Sequence, residues 1–242
     1  MKYILAFLLL LPNLAYASCK YEELNNVSKT MGVNIHCDYE PNVYFTPYLR
    51  RFCEPLSAEE PKFGNVDDTA SAIMMFLSSY PKEVRKEYLQ NIYLLSKLRC
   101  GEMPFGGTCS DKSIYVSVYT YFNSQNVLNI LHHEFSSVLW RHNKLLMTKA
   151  DIGMISGYAA YDPDSLLQCL KEGNCRAEKE ELLKEGFLVA YGKTNIENDF
   201  NVYAEYLFTK KEHLTKLAKK YPLVNEKVKL FKKFYADLGI SL

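Results

Sequence analysis

The residues best able to do chemistry lie in one run, Leu128-Asn129-Ile130-Leu131-His132-His133-Glu134-Phe135-Ser136-Ser137-Val138-Leu139-Trp140. Two histidines four residues apart on a helix share a face and can hold a zinc ion. A glutamate directly after the first can then act as general base toward the metal-bound water. His133 and Glu134 fill the first two positions of that pattern, but the i+4 position holds Ser137. Moving the register to His132 puts Ser136 at i+4 and His133 where the glutamate belongs. Adjacent helical residues point about 100° apart, so His132 and His133 do not chelate one ion from a regular helix. His142 falls on the opposite face. A plainer reading stands beside this one. His132 shares a face with Leu128, Phe135 and Leu139, as a core histidine would, and His133 lines up with Ile130, Ser137 and Trp140.

Several elements must position this run. Residues 113–121, β-branched and aromatic, predict a strand. Asn123 or Ser124 then caps a helix running to about Arg141. Upstream, apolar spacing predicts a helix from Asp67 to Ser79. A second begins at Pro81 and carries Val84, Tyr88, Ile92, Leu94 and Leu95. Downstream, helices are expected over about Ala177–Val189, Ile196–Lys210 and Asn225–Leu238. The sum is an α+β chain, mostly α. No internal repeat or low-complexity tract occurs.

Residues 190–205, Ala-Tyr-Gly-Lys-Thr-Asn-Ile-Glu-Asn-Asp-Phe-Asn-Val-Tyr-Ala-Glu, add a resemblance. Together with a strand followed by a His-Glu helix, this run resembles the downstream part of gluzincin-type zinc metallopeptidases, and is similar to the lethal-factor-type domains in its YGKTN and Ala-Glu segments. The resemblance covers about residues 113–210. It implies a zincin-like domain with a small sheet packed on the active-site helix. It also implies zinc as cofactor, His133 as first ligand and Glu134 as general base. A carboxylate from the second helix would be third ligand: Glu205 is favoured, with Asp199 and Glu197 as rivals. Tyr191 matches a tyrosine that assists the oxyanion; its plain alternative is one packing tyrosine among 19.

Ser137 is the departure. Catalytic zinc usually has three protein ligands, and an un-ionised hydroxyl is a poor substitute for imidazole. Two expectations follow. The chain hydrolyses peptide bonds with an altered ligand set, or it keeps the fold as a catalytically inactive binding or structural protein. Either way the expected partner is a peptide or protein.

The beginning of the chain predicts export. Lys2, an apolar run from Ile4 to Leu11, the Pro12-Asn13 break and Ala15-Tyr16-Ala17 follow the order of a secretory signal. The run is far shorter than the roughly 20 apolar residues that span a bilayer. Cleavage after Ala17 would give a periplasmic or secreted protein with no transmembrane segment in its mature part. Of 29 basic and 28 acidic residues, losing Lys2 leaves the two signs equal. That balance gives no reason to expect nucleic acid as partner. All seven cysteines follow residue 17, none in a CxxC pair, and in an oxidising compartment they should pair. Cys100 with Cys109 and Cys169 with Cys175 each bracket a short loop; Cys37 with Cys19 or Cys53 would be the third bridge, leaving one thiol. The expected organisation is a signal over 1–17, a disulfide-containing, helical N-terminal region over 18–110 and a metallopeptidase-like domain over 111–242.

Overall fold

In the computed structural model, residues 19–40, 44–119 and 123–242 are described; the expected signal segment lies outside them. Helices dominate, around one small mixed sheet. The chain begins with α1 (Glu22–Met31), β1 (Asn34–His36), α2 (Pro47–Phe52) and β2 (Leu56–Glu59). Next come α3 (Val66–Ser78), α4 (Lys82–Tyr88), β3 (Asn91–Cys100), β4 (Met103–Pro104), β5 (Gly107–Cys109) and β6 (Ser113–Ser117). The remainder is helical: α5 (Ser124–His142), α6 (Lys149–Ser156), a 3-10 turn (Tyr158–Ala160), α7 (Ser165–Glu172), α8 (Glu180–Lys184), α9 (Ala190–Lys193), α10 (Ile196–Thr209), α11 (Lys211–Lys220) and α12 (Pro222–Asp237).

The sheet runs β1-β3-β6-β5, with β2 and β4 on the second half of β3. β3 is parallel to β1 and β6, and β5 is antiparallel to β6. Ile92, Leu94, Ile114 and Val116 lie in the main core beneath the helices, while Leu95, Leu98 and Tyr115 join Phe45 and Leu49 in a smaller core on the other face. A strand buried on both faces shows an almost continuous apolar run. Ile92-Tyr93-Leu94-Leu95 therefore belongs to β3 rather than to a long second helix, and α4 stops at Tyr88.

Other boundaries moved for local reasons. The helix expected to reach Val189 is cut to α8 by Gly186 at φ +85°. The last helix starts earlier, with Pro222 at its first turn, and α11 precedes it. β6 ends at Ser117, and residues 120–121 of the expected strand lie outside the described ones. The segments on either side of residue 110 share this sheet and one apolar core, through the β3–β6 pairing and the packing of α3 on α5.

Three disulfides form: Cys19–Cys37, Cys53–Cys100 and Cys169–Cys175. The expected Cys100–Cys109 bridge does not. Cys100 ends β3 opposite Leu56 of β2, which carries it to Cys53. Cys109 pairs in register with Ile114 and is buried as a free thiol near Glu134 and Ser137. Among the described residues no helix is long and apolar enough to cross a membrane.

Candidate functional site

α5 is the central rod. Asn123 caps it, its side chain accepting from the Asn126 amide, and every residue from Leu131 to Trp140 is buried. β5 passes directly beneath. A Cβ at Gly107 would lie 2.7 Å from Ile130 Cγ2 and 2.9 Å from Glu134 Cγ, so only glycine admits this approach. That contact presses Glu134 against the sheet. Burial, with some repulsion from Glu197, pushes its carboxyl up to about 7, although His133 and Arg141 pull the other way.

α10 is capped by Asn195 and runs antiparallel to α5, so residues four apart on one helix meet residues four apart on the other. His133 Nδ1 lies 2.7 Å from Glu205 Oε1. One turn on, Asn201 Nδ2 donates to Ser137 Oγ at 2.7 Å, and that hydroxyl donates to Glu197 Oε1 at 2.7 Å. One turn further, Arg141 Nη2 donates to the same Glu197 oxygen at 2.7 Å. Ser136 Oγ adds a link, 2.8 Å from Asn201 Oδ1. The result is a polar seam inside an otherwise apolar helix pair. Every member has a partner, as buried polar groups require.

Glu205 has a second partner. A single Arg176 nitrogen, Nη1, sits 2.8 Å from Oε1 and 2.9 Å from Oε2. Burial works against ionisation of Glu205, but Arg176 and His133 outweigh it and hold its carboxyl below the ordinary value. An ionised carboxylate only accepts, so the His133 Nδ1 facing it carries the proton. Tyr191 completes the cluster, its ring 5.7 Å from that of His133 and 5.0 Å from the Arg176 guanidinium. Burial, chiefly, pushes its hydroxyl up to about 12, so it stays a neutral donor.

The structure thus brings His133, Glu134, Ser137, Glu205, Tyr191 and, through Ser137, Glu197 to one region. It does not bring Asp199 there. Asp199 faces away on α10, where Lys227 Nζ lies 2.6 Å and Tyr161 Oη 2.7 Å from its Oδ2. His132 is a core histidine. Tyr80 Oη lies 2.8 Å from its Nδ1, Phe208 stacks on it at 4.3 Å, and burial lowers its pKa to about 3. Sequence reasoning missed Arg141, Asn201 and Arg176. The first two are signalled by the four-residue spacing shared by α5 and α10 once the helices are paired; nothing local marks Arg176.

Zinc can be tested against this donor set. Among the described residues no group of three or more His, Cys, Asp and Glu side chains is arranged to share an ion. The hydroxyl in place of the second imidazole is already bonded to Asn201 and Glu197, and both oxygens of Glu205 are taken by a guanidinium. One imidazole remains, and the set does not fit a catalytic zinc with three protein ligands.

His133, Glu134, Arg176 and Tyr191 line a cleft of about 380 Å³, with Phe105, Leu166 and Leu170 on its apolar sides. A larger cavity of about 500 Å³ adjoins it, sharing Gly106, Ile130 and Arg176 and lined also by Glu205 and Tyr206, and another, beside Thr46 and Lys144, meets the seam at Arg141. No protein-family model and no curated protein matches the chain. A crystal structure described as a "putative zinc-binding metallo-peptidase" from Bacteroides caccae is similar in fold, with a TM-score of 0.52 at 14% identity, over 92% of this chain and 88% of that one. At that identity the likeness is one of fold alone: the chain has an α+β, mostly α, metallopeptidase-like fold with its small sheet packed on the His133 helix.

Proposed function

We propose that this chain is an exported peptidase-fold protein that binds a peptide or protein segment in the His133–Arg176 cleft without zinc-dependent hydrolysis. The observation that carries the reading is Ser137. Its hydroxyl stands where an imidazole would have to reach a metal, and it is held on both sides by α10. Its one proton goes to Glu197 and it accepts from Asn201, so it is a neutral, already bonded hydroxyl, a poor donor to zinc beside an imidazole. The cleft supports a peptide ligand because apolar walls flank a polar floor, the usual composition of a pocket that takes a side chain and orients a backbone. Export rests on the residues before Ser18, and the three disulfides suit an oxidising compartment.

One observation favours a second reading. The Glu134 carboxyl beside His133, raised to about 7, is poised as an acid–base group near neutrality. In that reading His133 and one carboxylate of α10 would hold an ion weakly once Arg176 moved aside, and Glu134 and Tyr191 would serve as base and oxyanion donor. Screening the purified protein against unfolded proteins and peptide libraries separates the two. Saturable binding with intact ligand supports the first reading. Cleavage abolished by both chelator and Glu134→Gln overturns it in favour of the second. The intact mass of the exported protein, expected to begin at Ser18, tests export.

A further inference from the structure

We infer that Arg176 is a built-in cation that takes over the charge-balancing place of a metal against Glu205 and keeps that carboxylate closed to ions. This rests on the reading that the cleft holds no catalytic zinc, and it adds which residue closes it.

The geometry is that of a point charge. One nitrogen is shared between both carboxylate oxygens, at 2.8 and 2.9 Å, while His133 Nδ1 meets Oε1 at 2.7 Å. Glu205 is almost fully buried, so an uncompensated charge there is costly. The arm that brings the guanidinium is fixed at several points. The Cys169–Cys175 bridge closes the loop immediately before Arg176. The Cys175 carbonyl accepts from the Tyr191 amide at 3.1 Å, and the guanidinium lies over the Tyr191 ring. Two residues on, Glu178 ties the arm to α10 and α11, accepting from Tyr206 Oη at 2.7 Å and lying 2.8 Å from His213 Nε2. Arg176 is thus delivered by a braced strap, and its side chain, 54% exposed, approaches Glu205 from solvent, as an ion would.

Removing the strap's cation and restoring an imidazole should therefore be needed together. Ser137→His, Arg176→Ala and the double variant are compared by zinc content after dialysis and by thermal unfolding with added zinc or chelator. The double variant is expected to hold stoichiometric zinc and lose Tm on chelation, while wild type and Ser137→His alone hold none. Zinc in Ser137→His alone equal to the double variant, or none in the double variant when it folds, overturns the inference. Because position 137 is buried, a cycle without it is run in parallel. Arg176→Met is expected to lower Tm by ~2–6 °C, and adding Glu205→Gln to recover part of that loss. Additive losses overturn the inference. Ligand binding by wild type is measured separately and reports only on the peptide-binding reading.

Discussion

Replacing Glu134 by glutamine should stabilise the protein at neutral pH and leave it unchanged in acid. Glutamine keeps the shape of the side chain against Gly107 but cannot ionise. The carboxyl titrates at 4.5 in the unfolded chain and at about 7 in the folded one, chiefly because burial disfavours the charge. Below 4.5 it is protonated in both states and contributes nothing. As pH rises from 4.5 to about 7 the unfolded chain releases the proton first, so stability falls; above about 7 the penalty is complete. The interval corresponds to ~3 kcal/mol, or ~6–12 °C in Tm for a domain of this size. Urea unfolding of both proteins at pH 4.5 and about 8 reads the difference. A variant equally stabilised at both pH values, or less stable than wild type at the higher one, would show that Glu134 is not a desolvated acid.

Two other perturbations test the packing around the site. Lys227→Met strands the Asp199 carboxylate in the core and should cost ~3–5 kcal/mol in urea unfolding, much of it recovered by adding Asp199→Leu; full additivity would contradict the ion pair. Gly107→Ala forces a Cβ into Ile130 and Glu134 and should cost ~1–3 kcal/mol while weakening peptide binding; a neutral outcome would mean that β5 does not press on α5.

The local signals in the sequence were sound where a residue's role is decided by its neighbours in the chain. Asn123, one of the two cap residues expected, starts α5, α10 covers the expected stretch from Ile196, and the β-branched run at Ser113 is a strand. His132 sits among apolar rings, as its face companions suggested. Legibility ended where partners are remote. β3 has core on both faces, so its apolar run carries no period that separates strand from helix. Cys53 and Cys100 are 47 residues apart and meet only because β2 pairs with β3. The juxtaposition of His133 with Glu205 follows from spacing plus the resemblance. Arg176 does not, since a basic residue after a cysteine has no pattern until the disulfide and Tyr191 aim it.

Metal content of the purified, fully folded protein tests the central claim most directly, read together with its unfolding curve before and after chelation. Zinc well below one equivalent and an unchanged curve are predicted, because the α5–α10 seam is held by its own side chains. One tightly held zinc per chain, with stability lost on its removal, would contradict the account.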